Sequence, residues 1–243
     1  MEDFFLVFEQ MKRQGPGSSA TTRKVFESIP DNQKVRSILD VGCGKGQSSI
    51  VLSQISQARI TAIDNHQPFL DHLEDRALEQ GCSNRIRVRN ISMFDIPFAR
   101  PSFDLIWSEG SAYFMGFKKA LSDWKSLIKT GGYLFISEAV WLSDRPSPAC
   151  AGYFQEEYPE MSDAVTRKQD ARELGYRILS DFILPRQDWL DFYDDMEACI
   201  HRAVKQKGMT PAFERMIREI KICKDYRDEF GYLCLLLSPI PRN

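Results

Sequence analysis

Short apolar segments alternating with amphipathic segments constrain the fold of this chain more than any other feature. Strands that alternate with helices predict a parallel sheet covered on both faces. The apolar segments predict strands at residues 37–41, 59–64, 86–91, 103–107 and 133–138, and the spacing of apolar residues between them predicts helices at 47–55, 68–80 and 117–128.

The pattern changes after Glu138. Residues 141–175 are polar, with scattered aromatic residues and Pro146, Pro148 and Pro159, and they predict a lid rather than a further repeat. Strands are predicted at 176–184 and 231–238, with helices between them, so the late strands form an antiparallel edge pair. The predicted fold class is therefore α/β: a doubly wound, seven-stranded, mostly parallel sheet of the Rossmann-like type with a small helical lid.

Composition argues against several classes of protein. The 243 residues carry 32 Lys+Arg against 34 Asp+Glu, a net charge of −2, so no nucleic-acid partner is expected. The longest apolar run, residues 232–237, is too short to span a membrane. Six cysteines without a CxxC pair and three histidines without an HxxxH pair predict no metal site. The acidic start and the cysteine pattern favour reduced thiols in the cytoplasm.

A glycine-rich turn, residues 39–48, follows the first strand and opens a helix. Glycine lets the backbone approach a ligand without a Cβ clash, and a helix N-terminus offers unpaired N–H groups. Asp64, eighteen residues after Gly46, ends the second strand, where a carboxylate can accept hydrogen bonds from both hydroxyls of a ribose. The spacing therefore predicts a nucleoside-binding site.

The order of residues in this turn discriminates between nucleotide sites. Lys45 precedes Gly46, so the turn has no phosphate P-loop frame. A dinucleotide fingerprint fails as well, because the third glycine comes one residue early and Gln47 takes its place. Asp40 would repel a pyrophosphate but attract an ammonium group. A nucleoside with a cationic amino-acid tail fits these features, and S-adenosylmethionine is such a ligand.

These segments resemble the class I S-adenosylmethionine-dependent methyltransferases. Residues 40–46 match the first motif of that family, Asp64 its ribose acid, and residues 103–109 and 127–138 its motifs around strands four and five. More narrowly, residues 14–18, 107–110 and 182–189 resemble an unassigned branch of small bacterial methyltransferases. The resemblance implies that S-adenosylmethionine is the cofactor and that a small molecule is the methyl acceptor.

The resemblance also implies which residues hold the cofactor. These are Asp40, Gly42, Cys43, Gly44, Gln47, Asp64, Asn65, Ser92, Met93 and Ser108. Many relatives carry an aspartate after strand three that binds the adenine amino group, and Ser92 stands in its place. Whether Ser92 or Asp95 binds adenine stays open, and Met93 is expected to pack on the ring.

Acceptor-side candidates lie in the loop after strand four and at the end of strand five. Glu109 is a candidate general base or a site for a cationic acceptor, with an ion-paired loop carboxylate as the alternative. Tyr113 either orients the substrate or packs structurally, and for Glu138 a site role and a structural role are equally open. On the C-terminal helices, Phe192 and Tyr193 are expected in the core or a dimer contact, and residues 215–229 on a solvated face.

The expected organisation is a single methyltransferase domain over residues 1–243. N-terminal helices occupy residues 1–33, the cofactor-binding half 34–140, the lid insertion 141–175, and C-terminal strands and helices 176–243. The predicted function is methyl transfer to a small molecule by a monomer or homodimer. The alternatives are an RNA or protein methyltransferase and a non-catalytic protein that binds S-adenosylmethionine or S-adenosylhomocysteine.

Overall fold

A computed structural model describes residues 2–241 of the chain. The strands are β1 Ser37–Val41, β2 Arg59–Asp64, β3 Ile86–Asn90, β4 Phe103–Glu109, β5 Ile128–Trp141, β6 Ser162–Asp163, β7 Tyr176–Ile183 and β8 Phe230–Pro239. The α-helices are α1 Glu2–Phe8, α2 Ser19–Ser28, α3 Gln47–Ile55, α4 Gln67–Glu79, α5 Phe117–Trp124, α6 Pro148–Glu157, α7 Ala164–Glu173, α8 Arg186–Lys207 and α9 Pro211–Asp225.

The strands form one sheet in the order β3-β2-β1-β4-β5-β8-β7, and β6 pairs with β5 off this path. β1 to β5 run parallel, whereas β8 is antiparallel to both β5 and β7. The predicted mostly parallel α/β sheet and its late antiparallel pair are confirmed. The count differs, because the two-residue β6 makes eight strands; a strand that short leaves no periodic pattern in the sequence.

Both faces of the sheet are buried, as in a doubly wound fold. Consecutive strand residues belong to different cores: Ile38 packs with Trp107 on one face, and Leu39 packs with Ile106 on the other. Helices α1, α2, α8 and α9 cover the first face, and α5 and α7 cover the second. Strands buried on both faces need nearly continuous apolar runs, which explains why the sequence identified them.

Capping side chains fix where two of the helices begin. Ser18 accepts a hydrogen bond from the Thr21 N–H and caps α2, and Thr210 accepts one from the Phe213 N–H and caps α9, where Pro211 is the first helical residue. These side chains satisfy N–H groups that the first turn of a helix leaves unpaired.

The order of the strands indicates at which edge of the sheet a ligand would bind. β1 lies between β2 and β4, so the chain leaves β1 towards one side of the sheet and later returns to the other. In doubly wound sheets ligands bind beyond the carboxyl ends of the strands at such a switch point.

No helix within residues 2–241 combines the length and apolar character that crossing a membrane requires.

Candidate active site

A cavity of about 560 Å³ lies at the carboxyl edge of the parallel strands. This volume falls within the roughly 300–1,000 Å³ of small-molecule sites. The turns and loops after β1 to β4 and the C-terminal part of β5 line one part of it. Helices α1, α6, α8 and α9 line the rest. The cavity therefore includes the predicted nucleoside site and a second space that is lined mainly by helices.

The glycine turn after β1 is a backbone surface held open towards this cavity. Gly42 has φ +69°, and a Cβ on it would lie 2.6 Å from the Ser111 Cβ. The N–H groups of Gly42 and Cys43 both donate to the Ile63 carbonyl, at 2.9 and 3.0 Å, which ties the turn to β2. A side chain at Gly42 would therefore overlap the Ser111 side chain, so both the backbone conformation and the close approach require glycine here.

Asp64 lines the cavity at the end of β2, and backbone groups orient its carboxylate. Its Oδ2 accepts a hydrogen bond from the Gly44 N–H at 2.9 Å, and its Oδ1 accepts one from the His66 N–H at 3.0 Å. A carboxylate has about four lone-pair sites, so acceptor capacity remains on both oxygens. This geometry suits a ligand with two neighbouring hydroxyls.

Asp40 and Arg13 form the polar floor of the same part of the cavity. Asp40 is 2% exposed and accepts a hydrogen bond from the Ser49 hydroxyl at 2.7 Å. Burial raises its pKa to about 6, against the opposing effects of the Ser49 bond and the Arg13 charge. The Arg13 Nε–H donates to the Gly15 carbonyl, but its buried Nη1 has no partner within residues 2–241. This nitrogen is an unused donor on a side chain that lines the cavity.

Glu109 lines the cavity but is engaged by neighbouring side chains. It forms an ion pair with Arg13, and its Oε1 accepts hydrogen bonds from the Thr22 hydroxyl and the Trp107 indole N–H, both at 2.9 Å. The side chain is 9% exposed. These contacts tie the N-terminal segment to the end of β4. The catalytic role of Glu109 stays a prediction, and a base at this place would have to give up the Arg13 contact.

Most of the other predicted cofactor residues meet at this cavity. Those that line it, besides Asp40 and Asp64, are Gly42, Cys43, Gly44, Gln47, Asn65, Ser92 and Met93. Ser92 lines the cavity, whereas Asp95 is exposed and lies outside the lining.

Ser108 is not brought to the cavity. Its side chain is fully buried, and its hydroxyl lies 2.8 Å from that of Ser111, which lines the cavity instead and donates to the Val41 carbonyl at 2.7 Å. The sequence predicted that the fourth strand ends at Trp107, but β4 continues to Glu109. Ser108 is therefore still a strand residue, and the loop begins after it.

Six residues form the far part of the cavity, which we call the tyrosine–glutamate half: Tyr113, Glu138, Tyr158, Tyr193, Glu219 and Tyr232. The Tyr158 hydroxyl donates a hydrogen bond to Glu138 Oε1, and Arg167 Nη2 donates one to the Tyr158 oxygen at 3.2 Å. Glu138 is 2% exposed, and burial raises its pKa to about 7, with the Tyr158 bond and the Arg167 charge opposing the shift. Glu138 is thus an acid–base group that titrates near neutrality.

The C-terminal helices α8 and α9 supply cavity residues that the sequence did not predict at the site. Tyr193 on α8 donates to Glu219 Oε1 at 3.2 Å, and its oxygen lies 3.0 Å from that of Tyr232. Burial raises the pKa of Glu219 to about 7. Phe192 and Tyr193 belong to the core, as predicted, and they also line the cavity. Glu219 lines the cavity as well, although residues 215–229 were predicted to form a solvated face. The available signal was the position of Glu219 three residues after Met216 and four before Cys223, both buried.

Comparison with known proteins agrees with this geometry. Residues 38–132 match the family model described as "Methyltransferase domain". An O-methyltransferase, resE of Aspergillus sclerotiorum, is 26% identical over 145 residues, 58% of this chain and 55% of that protein. Phosphoethanolamine N-methyltransferase 1 of Triticum aestivum is 24% identical over 66% of this chain and 32% of its own length. The chain thus spans about half or less of the curated relatives it matches here.

Solved structures match over nearly the whole chain. A SAM-dependent methyltransferase from Geobacter sulfurreducens, crystallised with S-adenosyl-L-homocysteine, has a TM-score of 0.84 at 15% identity and covers 99% of this chain and 98% of its own. The cyclase SpnF has a TM-score of 0.75 at 23% identity, covering 92% and 82%.

The family match contains the glycine turn, Asp64 and β4, which carry the resemblance seen in the sequence. Residues 38–132 therefore match a methyltransferase domain, and the chain as a whole has the fold of the class I S-adenosylmethionine-dependent methyltransferases.

Proposed function

We propose that this protein transfers a methyl group from S-adenosylmethionine to a small-molecule acceptor. One observation carries the proposal: the nucleoside site and the tyrosine–glutamate half are two ends of the same cavity. An enclosure that holds two reactants side by side makes their reaction effectively unimolecular. When bound, S-adenosylmethionine supplies an activated methyl group on a sulfonium, which an acceptor atom takes by in-line displacement.

The residues at the nucleoside end fit each part of this cofactor. Asp64 has spare acceptor capacity for the two ribose hydroxyls, and the carboxylate of Asp40 matches the ammonium of the methionyl tail. The unpartnered Nη1 of Arg13 is a donor for the carboxylate of that tail. Ser92 and Met93 line the wall where adenine would lie. The two charged groups of the methionyl tail would thus each meet a side chain of opposite charge, Asp40 for the ammonium and Arg13 for the carboxylate.

The roles of the acceptor-side residues follow from their contacts. Glu138 accepts a proton from the acceptor, and Tyr158 with Arg167 positions its carboxyl group. Tyr113 lies in the loop after β4 and orients the acceptor against the methyl group. We assign Glu109 a positioning role, because its contacts to Arg13, Thr22 and Trp107 hold the N-terminal segment against the cavity.

Calorimetric titration with S-adenosylhomocysteine tests the cofactor site. We expect binding by the unaltered protein and at least a tenfold weaker affinity for Asp64→Ala, because roughly 1.4 kcal/mol corresponds to each tenfold. Asp71→Asn is the matched control, since Asp71 is exposed on α4 and lies outside the cavity lining. Absence of binding to folded protein, or equal affinity of both variants and the unaltered protein, would contradict the proposed site.

Labelled S-adenosylmethionine and a metabolite extract test the transfer itself. A fold does not fix a reaction, and the structural neighbour SpnF is a cyclase, so the product has to be detected directly. We expect label in small molecules. Label in RNA or protein would overturn the acceptor class, and binding without any transfer would favour a cofactor-sensing protein.

We further place the protein in the cytoplasm as a monomer or homodimer. All six cysteines are free thiols, and five of them are buried, which suits a reducing compartment. Cell fractionation and light scattering check these two statements, and a secreted protein or a larger assembly would contradict them.

A further inference from the structure

The tyrosine–glutamate half combines aromatic rings with carboxyl groups in a buried space. Tyr113, Tyr158, Tyr193 and Tyr232 supply the rings, and Glu138 and Glu219 supply the carboxyl groups. The faces of aromatic rings carry negative electrostatic potential and attract cations, more strongly where water is excluded. Rings and carboxylates therefore favour the same sign of charge in a ligand.

The charges of this half converge on one place. The pKa of Tyr113 is raised first by burial and then by the negative charges of Glu219, Glu138 and Glu157. Glu138 on β5 and Glu219 on α9 thus act on the same phenol, although they lie far apart in the sequence. The Glu157 carboxylate on α6 is paired with Arg215. Tyr113 is 40% exposed and lines the cavity, so its ring is available to a ligand there.

The arginines near this space each pair with a carboxylate, and Arg167 also donates to the Tyr158 oxygen. Arg13 is the one lysine or arginine lining the cavity among residues 2–241, and it pairs with Glu109 at the nucleoside end. Arg167 is 4% exposed behind Tyr158 and pairs with Asp170 at 3.3 Å. Arg215, whose side chain is 72% exposed, pairs at 2.9 Å with Glu157, which lines the cavity. A ligand carboxylate or phosphate in the tyrosine–glutamate half would therefore face Glu138 and Glu219, and no lysine or arginine among residues 2–241 lines that half.

We propose that the methyl acceptor is a small organic amine that enters the tyrosine–glutamate half as a cation and is methylated on its nitrogen. This inference rests on the proposed function and specifies its substrate class. The rings of Tyr113, Tyr193 and Tyr232 and the carboxyl groups of Glu138 and Glu219 provide the recognition. A neutral alcohol of the same shape would gain only the apolar part of this surface.

The transfer step balances with the residues present. The bound ammonium gives one proton to the Glu138 carboxylate, which frees the lone pair of the nitrogen. That lone pair forms the new bond to the methyl carbon while the carbon–sulfur bond breaks, and the electron pair of that bond stays on sulfur. The product is a methylated ammonium beside a neutral thioether, and the proton on Glu138 leaves to water. Tyr158 holds Oε1 of Glu138, and no group within residues 2–241 donates to Oε2, which is left to take the proton.

Matched ligands test the recognition in the unaltered protein. Titrations with S-adenosylhomocysteine present use alkyl and arylalkyl amines, each with its alcohol and carboxylate analogue, for example 2-phenylethylamine, 2-phenylethanol and 3-phenylpropanoate. We expect amines to bind at least tenfold tighter than their alcohols, about 1.4 kcal/mol, and carboxylates to bind weakest. Alcohols or carboxylates that bind as well as the amines, or no amine binding at millimolar concentration, would overturn the inference.

A pair of variants on α9 tests the origin of the preference. Glu219→Gln keeps an oxygen for the Tyr193 hydroxyl but removes the charge, whereas Glu214→Gln alters an exposed glutamate on the same helix outside the cavity lining. We expect Glu219→Gln to lose most of the amine preference and Glu214→Gln to keep it. Equal preferences in the two variants would contradict the role of Glu219, and the unaltered protein decides the substrate class if a variant fails to fold.

Tyramine, which carries both an amine and a phenol, tests the methylated atom. With labelled S-adenosylmethionine we expect the label on nitrogen, located by fragmentation in a mass spectrometer, and label on the phenol oxygen would overturn that part. Binding of S-adenosylhomocysteine separates the two levels of the proposal. If it fails, the proposed function fails. If it holds while amines show no preference, only the substrate class is wrong.

Discussion

Asp40 lies where burial and ligand charge act on the same carboxyl group. It is nearly inaccessible to water, and its neighbours include Arg13, Ser49 and Asp64. Only the ionised carboxylate of Asp40 can pair with the ammonium of the methionyl tail. In the protein without ligand, burial raises the pKa of this carboxyl group to about 6.

We therefore expect the affinity for S-adenosylhomocysteine to rise as pH increases from about 5 to about 7.5, since ionisation of Asp40 no longer has to accompany binding above its pKa. Asp40→Asn should bind about tenfold more weakly at neutral pH and show a flatter profile. Calorimetry across this range measures both effects. A profile in the variant as steep as that of the unaltered protein would assign the pH dependence to another group.

Glu138 presents a related case on the acceptor side. Tyr158, Arg167 and Glu160 surround it, and its pKa of about 7 means that the carboxylate, the form able to accept a proton, predominates above neutrality. We expect kcat to increase with pH through about 7. Glu138→Gln should lower kcat by roughly 10²–10⁴, the range of general acid–base catalysis, and remove this increase, while S-adenosylhomocysteine affinity stays unchanged. A large loss of cofactor affinity in Glu138→Gln would instead indicate a structural role.

The sequence predicted the residues that local rules place, and missed those that depend on packing. Asp40 and Asp64 end neighbouring parallel strands, so the topology alone brings them together. Ser108 was assigned to the cofactor because the sequence predicted the end of the fourth strand two residues too early. The serine that lines the cavity is Ser111, whose hydroxyl contacts that of Ser108. Tyr193 and Glu219 reach the cavity through contacts between distant helices, and residue spacing does not encode those contacts.

At the scale of elements, the start of α3 depends on a close approach to α4. Gly46 has φ +74° and caps α3, and a Cβ added to it would overlap the Leu73 side chain. Gly81 has a similar φ of +67°, but nothing lies within 4 Å of its added Cβ. The two glycines thus share backbone conformation and differ in available space.

This difference yields a matched pair of variants. Gly81→Ala should lower the free energy of unfolding by about 1 kcal/mol, the cost of a left-handed conformation for an L-residue. Gly46→Ala should lower it by a further 1–3 kcal/mol, roughly the cost of overpacking, and weaken S-adenosylhomocysteine binding because the turn shifts. Urea denaturation and calorimetry measure the two effects. Equal destabilisation by both variants would show that backbone strain alone matters at Gly46.

The amphipathic pattern of α8 and α9 predicted that each helix has a buried face, but not what that face covers. Their buried residues join the core on one face of the sheet, and Phe192, Tyr193, Glu219 and Cys223 also line the cavity. A helix that covers a sheet and a helix that covers a ligand site show the same periodicity. The architecture was therefore predictable from the sequence, whereas the roof of the site was not.

Over the whole molecule, three buried acids shift the pH dependence of folding in one direction. The pKa of Asp40 is raised from 3.8 to about 6, and those of Glu138 and Glu219 are raised from 4.5 to about 7. Between the ordinary and the raised pKa values the folded protein binds more protons than the unfolded chain, so stability falls as pH rises through this window. Asp104 has a lowered pKa, but its effect falls below its ordinary value of 3.8, outside the window. The pKa of His72 is lowered from 6.5, mainly by burial, and this single group opposes the three acids in the lower part of the window.

We therefore expect the free energy of unfolding to decrease between about pH 5 and pH 8, by up to roughly 3 kcal/mol for Glu138 alone, since one pKa unit is about 1.4 kcal/mol. Urea denaturation at both pH values measures the change, and Glu138→Gln should reduce it. A bound amine supplies the cation that these carboxylates lack, so it should stabilise the protein more at pH 8 than at pH 5. Stability that stays constant or rises across this range would mean that the carboxyl groups are already compensated in the free protein, and it would remove the reason for a cationic acceptor.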